Sequence, residues 1–177
     1  LLADRTIVAQ KAVLHHPRIK YKMIARGKKG QTFFDALAGI NEFMEVDQLE
    51  LINGQFRLDL KDDKSMELEN INFSIKSNQF VSSQTIRHIG KSIQEFNFSR
   101  GTFNLNNLNI LLNDVKYAGN KEQLHAESVS ANDTETQSIA FLNDVYLSKL
   151  FINEALKTIS ADSVRWSRGN IIYLPNP

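Results

Sequence analysis

Cysteine is absent from this chain of 177 residues, which excludes a disulfide framework, a thiolate metal site and a cysteine nucleophile. Proline occurs only at Pro17, Pro175 and Pro177, so no proline-rich linker divides the chain. Its eight glycines form no Gly-x-Gly-x-x-Gly or Walker loop, and no Gly-x-Ser-x-Gly elbow occurs. Nucleotide phosphates therefore have no cradle, and an α/β-hydrolase serine has no turn to sit on. Apolar runs stop at about four residues, as at Ile139 to Leu142, where a membrane-spanning helix needs roughly 20. Charge of one sign is lacking too: 21 Lys and Arg against 20 Asp and Glu give a net +1, with no global pull toward nucleic acid or an anionic surface. The histidines His15, His16, His88 and His125 lack metal-ligand spacing. Asp59, Asp62, Asp63 and Glu67 lack the glycine and spacing of a calcium loop and read as a solvated hairpin end. The expectation is a protein that is not an enzyme and takes no cofactor or metal.

What is present is pattern. Three segments align without gaps: Val46-Asp-Gln-Leu-Glu-Leu-Ile-Asn-Gly-Gln-Phe56, Ile93-Gln-Glu-Phe-Asn-Phe-Ser-Arg-Gly-Thr-Phe103 and Ala161-Asp-Ser-Val-Arg-Trp-Ser-Arg-Gly-Asn-Ile171. Each is apolar at its positions 1, 4, 6 and 11 and has glycine at 9. The apolar residues alternate, then change parity across the glycine, as Leu49 and Leu51 give way to Phe56 and Leu58. A tight hairpin at Asn53-Gly54 accounts for this, placing Leu51 across from Phe56 and Leu49 from Leu58. The same count pairs Phe98 with Phe103 and Phe96 with Leu105, then Trp166 with Ile171 and Val164 with Tyr173. At Arg100-Gly101 and Arg168-Gly169 a glycine bulge within a bending strand competes, because arginine is unfavourable in a left-handed conformation.

Ile110-Leu-Leu-Asn-Asp-Val-Lys-Tyr-Ala118 echoes Ala140-Phe-Leu-Asn-Asp-Val-Tyr-Leu-Ser148, with the same parity change across Asn-Asp, and reads as two strands carrying a turn or bulge. Met66 to Ile75 alternates as a strand, and Leu124 to Val129 does so more weakly. Short helices are predicted over Thr32 to Met44, Ser83 to Ser92 and Ser148 to Lys157. The 17 Asn and 14 Ser supply an uncharged polar side opposite the apolar one, a pattern that suits antiparallel sheets with one wet face. The fold class is therefore mainly β, an elongated, curved antiparallel sheet of divergent hairpin repeats with a few short helices, forming one module over 1–177. Because the chain starts at Leu1, we expect an internal segment of a longer protein.

Residues 1 to 30 hold eight basic side chains against the single acid Asp4, while the remainder has 13 basic and 19 acidic residues. Lys20, Lys22, Arg26, Lys28 and Lys29 form the candidate contact for lipid headgroups or a partner. Arg18, Lys20 and Lys22 alternate with Ile19, Tyr21 and Met23, as a solvated strand face would. Tyr21 alone interleaves these cations, too few aromatics for a nucleic-acid surface.

The order of an extended basic strand ending in Leu14-His-His-Pro-Arg-Ile19, a glycine-containing turn, a short helix and then Val46 to Phe56 resembles the AsmA-like envelope proteins of Gram-negative bacteria. Leu142-Asn-Asp-Val-Tyr-Leu and Ile159 to Ile171 look like a second pass of the same pattern. The resemblance covers the motifs of about two thirds of the chain and implies a curled sheet with a hydrophobic inner groove. It implies further an inner-membrane anchor that this chain lacks, a periplasmic location and a part in outer-membrane lipid transport or homeostasis. It carries no catalytic residues.

Two functions follow as expectations. In the first, Leu49, Leu51, Phe56, Leu58, Phe96, Phe98, Phe103, Val164, Trp166 and Ile171 line a groove that shields lipid acyl chains. In the second, the same residues form a closed core, and strand edges or the Lys20 to Lys29 surface recruit another envelope protein by strand addition.

Overall fold

A computed structural model describes residues 7–22, 44–60, 64–76, 93–149, 151–153 and 158–174. In chain order the strands are β1 (Ile7–His15), β2 (Arg18–Lys22), β3 (Met44–Asp59), β4 (Ser65–Lys76), β5 (Ile93–Leu105), β6 (Leu108–Ala118), β7 (Gln123–Asp133), β8 (Ile139–Ser148), β9 (Phe151–Asn153), β10 (Thr158–Ser160), β11 (Ser163–Arg165) and β12 (Arg168–Ile172). A single 3-10 turn, Gly119–Lys121, joins β6 to β7. Ten strands form one open, curved sheet in the order β1-β3-β4-β5-β6-β7-β8-β11, with β2 continuing β1 along β3 and β12 continuing β11 along β8. The pair β9 and β10 forms a separate two-stranded sheet.

The fold is mainly β as expected, and from β3 to β12 every pairing in the large sheet is antiparallel. Strands β1 and β2 instead run parallel to β3, so the sheet is mixed. Alternation reports which face a side chain takes and is silent on strand direction, so the pattern alone does not distinguish the two. A parallel neighbour needs a connection of roughly a dozen residues or more, and residues 23–43 provide that length.

The glycine-marked segments are not hairpins. Asn53-Gly54 lies inside the single strand β3, and Arg100-Gly101 lies inside β5. What changes the parity is a kink within the strand, most often a residue in the left-handed region: Asn53 (φ 54°), Asn70 (φ 53°), Asp114 (φ 46°) and Asp144 (φ 49°). Asparagine and aspartate are the non-glycine residues that adopt this conformation at least cost. The kinks form a transverse seam, because the residues flanking them are register partners: Leu112, Val129 and Leu142 on one side, Val115, Ala126 and Val145 on the other. At the sheet's first edge His16 (φ 52°) and Pro17 break β1 from β2 at the same seam, with the His16 amide on the Ile52 carbonyl and the Gln55 amide on the Pro17 carbonyl, both at 2.8 Å.

The seam exists because of burial. Without a kink, the parity change would turn one half of every strand's apolar side chains to the wet face. A left-handed residue costs about 1–2 kcal/mol, whereas burying one Leu, Ile or Phe contributes roughly 1.5–3 kcal/mol. β3 has Leu49 and Leu51 before its kink and Phe56 and Leu58 after it, and β4 has Met66 and Leu68 before and Ile71, Phe73 and Ile75 after, so in these strands the kink wins.

The predicted helix over Thr32 to Met44 falls outside the described residues except for Met44, which opens β3, and the helix over Ser83 to Ser92 lies wholly outside them. The helix over Ser148 to Lys157 does not form where that stretch is described. Ser148 closes β8, and Phe151–Asn153 pairs antiparallel with Thr158–Ser160, so strand pairing overrides the weak helical spacing there.

Candidate functional site: the apolar face

The inward side chains on both sides of the seam make one cluster: Leu49, Leu51 and Phe56 of β3, Leu68, Ile71, Phe73 and Ile75 of β4, Phe98 of β5, Val115 of β6, Ala126 of β7 and Val145 of β8. Leu58, Phe96 and Phe103 are half-buried against it. Phe73 meets Phe96 edge-on at 6.2 Å between centroids, and Phe96 and Phe98 are tilted at 5.6 Å. Such geometries contribute beyond area alone.

Two of the shared glycines sit under an aromatic ring three residues earlier. A Cβ on Gly101 would stand 2.7 Å from Cε2 of Phe98, and one on Gly169 would stand 3.4 Å from Cδ1 of Trp166 and 2.5 Å from Cδ2 of Leu142. The i, i+3 spacing brings ring and glycine to the same face because the parity changes between them. Gly54 is covered differently, by Pro17, whose Cγ would lie 3.2 Å from the added atom.

Seven of the ten candidate lining residues, Leu49, Leu51, Phe56, Leu58, Phe96, Phe98 and Phe103, thus gather in or against one cluster. The other three lie outside it. Val164 is 50% exposed, Trp166 50% and Ile171 64%. Val164 is opposite Leu147, and Ile171 is opposite Ala140, so these side chains continue the same face to the far edge. Along the seam the apolar face is buried from β3 to β8, and it is open at β11 and β12.

The residues that the sequence reading did not assign to this face are Leu68, Ile71, Phe73, Ile75, Val115, Ala126 and Val145. Their signal was the same three-residue step, Leu68 to Ile71, Leu112 to Val115 and Leu142 to Val145, without the glycine.

From β4 to β7 the opposite face is mostly polar and cross-linked by side-chain hydrogen bonds, and at β8 and β12 it carries the exposed Ile139, Phe141 and Ile172. Asn72 donates to Asn97 at 3.0 Å, Asn113 to Ser128 at 2.9 Å and Asn104 to Ser65 at 3.0 Å. Asn72 and Asn97 each head an Asn-Phe-Ser triplet, and they hold one another across β4 and β5. His125 stacks on Tyr146 at 4.3 Å, and the Arg165 guanidinium lies 5.9 Å from the same Tyr146 ring.

Of the candidate basic contacts, Lys20 pairs with Asp59 at 3.5 Å and Lys22 is exposed. Arg26, Lys28 and Lys29 lie outside the described residues. The Arg57 hydrogen bond to Asp59, at 2.8 Å, holds that carboxyl below the ordinary range and raises the guanidinium in turn. Asp133 is lowered by the backbone amides of Thr136 and Glu135, which its carboxylate accepts. Lys149 is raised by its contact with Asp162, and burial pushes the Tyr117 hydroxyl up.

Among the described residues no group of three or more His, Asp or Glu could hold a metal ion, and no helix is long and apolar enough to cross a membrane. No protein-family model, curated protein or solved structure matches the chain.

Proposed function

We propose that the apolar face shields lipid acyl chains, which enter at the open β11 and β12 end of an envelope protein of the kind the sequence resembles, with no catalytic step. The observation that carries this reading is the gradient along one face, from buried Leu49, Leu51 and Phe98 to half-exposed Val164 and Trp166 and exposed Ile171. Side chains such as these, contiguous and in water, mark a surface with something to bind. Binding draws on apolar area at roughly 25 cal/mol per Å² and encodes no headgroup choice.

Trp166 is the chain's single tryptophan and stands at the open end, so it reports the event directly. A brominated fatty acid, added below its micelle concentration, is expected to quench Trp166 emission with saturation, while free N-acetyltryptophanamide in the same solution shows only collisional loss. Native mass spectrometry of protein taken from membranes is expected to show retained lipid. Linear quenching matching the free indole, together with lipid-free protein, overturns the reading.

A further inference from the structure

The last strand of the sheet repeats a register seen in its interior. Arg100 and Gly101 of β5 lie opposite Asn113 and Leu112 of β6, and Arg168 and Gly169 of β12 lie opposite Asn143 and Leu142 of β8. Asn97 faces Lys116 as Arg165 faces Tyr146, and Phe103 faces Ile110 as Ile171 faces Ala140. The line formed by β11 and β12 is thus placed on β8 as β5 is on β6.

Strand β5 has a second neighbour. On its other side is β4, whose Leu68-Glu69-Asn70-Ile71 stretch carries the left-handed Asn70 and sets Glu69 opposite Arg100. Strand β7 is likewise held between two kinked strands, β6 with Asp114 and β8 with Asp144. Among the described residues β11 and β12 have such a strand on one side only, and every residue from Ser163 to Leu174 is exposed. Neither Arg165 nor Arg168 forms an ion pair among the described residues. An edge unpaired among the described residues, with apolar side chains, the Arg168 cation outside any ion pair and Arg165 over the Tyr146 ring, is a template for a further strand.

We infer that the open edge of β11 and β12 is a strand-addition site for a partner polypeptide. The occupant is an antiparallel strand with a carboxylate facing Arg168 and a left-handed asparagine next to it, as in Leu-Glu-Asn-Ile. Backbone hydrogen bonds supply the attraction, the kink supplies the fit to the break at Trp166-Ser167, and the carboxylate supplies the choice. This stands whether or not the apolar face takes acyl chains.

The probe is a fluorescent synthetic peptide of the β4 sequence, Ser65 to Lys76, added to the whole chain and read by anisotropy and by amide hydrogen exchange. Saturable binding is expected, with new protection over 163–172. Replacing Glu69→Lys in the peptide is expected to weaken it by about three- to tenfold, since a cross-strand attraction becomes a repulsion. Arg168→Glu in the protein should do the same with the native peptide and restore affinity for the Glu69→Lys peptide. The side chain is exposed, so the fold is not at stake. A scrambled peptide binding equally well, protection elsewhere, indifference to both charge reversals, or self-association of two copies through this edge that excludes the peptide each overturns the inference.

Discussion

The ring of Phe98 occupies the space that a side chain on Gly101 would need, with Cε2 of the ring 2.7 Å from where a Cβ would stand. Leu68 closes the site from the neighbouring strand, its Cδ2 at 3.0 Å. Gly101 has no left-handed φ, so its role here is steric. Gly101→Ala is therefore expected to lower stability by about 1–3 kcal/mol, as overpacking does in a filled core. Phe98→Ala should cost about 3–5 kcal/mol. The double variant should fall short of the sum, because the added methyl enters the vacated ring space. Urea denaturation of the three proteins measures this, and simple additivity would show that ring and glycine do not compete.

The kinks test differently, through backbone conformation. At Asp114 the left-handed φ penalises a β-branched residue, so Asp114→Val should cost about 1–2 kcal/mol more than Lys116→Val, two residues along the same face of β6. Asn70→Gly frees the backbone of its left-handed cost but loses the hydrogen bond Asn70 donates to Ser99 at 2.9 Å, so it should cost no more than about 1 kcal/mol. Equal costs at 114 and 116 would remove the seam as a constraint.

Burial along the apolar face sets a third expectation. Val115, 1% exposed, should lose roughly 1.5–3 kcal/mol on truncation to alanine. Ile171→Ala, at the open end, should stay within about 0.5 kcal/mol, as surface substitutions do. Comparable losses at both positions would mean that the open end is covered in solution.

The pH dependence has opposite signs at two sites. Asp133 has a folded pKa below its ordinary value near 3.8, so its contribution is present above that value and is lost as pH falls through the lowered one. Asp133→Asn keeps the acceptor for the Glu135 and Thr136 amides without titrating, and should flatten the acid side of the stability profile. Lys149 has a folded pKa above its ordinary value near 10.5, so its contribution is present below that value and fades as pH rises through the raised one. Lys149 and Asp162 are both exposed, so Lys149→Met should lower stability only slightly below that value and flatten the decline on the alkaline limb. A chemical-shift titration of the Asp133 carboxyl at the ordinary value would contradict the first expectation.

The amino-acid sequence by itself determined most strands of the large sheet, their wet and greasy sides, and the points where the parity changes, because alternation and the few residues that tolerate a left-handed backbone are local properties. Strand β9, paired with β10, lies instead in a stretch whose spacing predicts a helix. Leu49 to Leu58, Met66 to Ile75 and the two Leu-Asn-Asp-Val stretches were legible on that basis. Tertiary structure decided that Asn53-Gly54 and Arg100-Gly101 are kinks inside long strands and not hairpin ends, since only a partner strand on each side distinguishes a bend from a reversal. It decided, too, that β1 and β2 run parallel to β3, that the kinks line up into one seam, and that Phe98 is buried while Trp166, its counterpart in the pattern, stands half-exposed at an edge. Burial depends on which strands lie alongside, and a single strand's pattern holds no record of its neighbours.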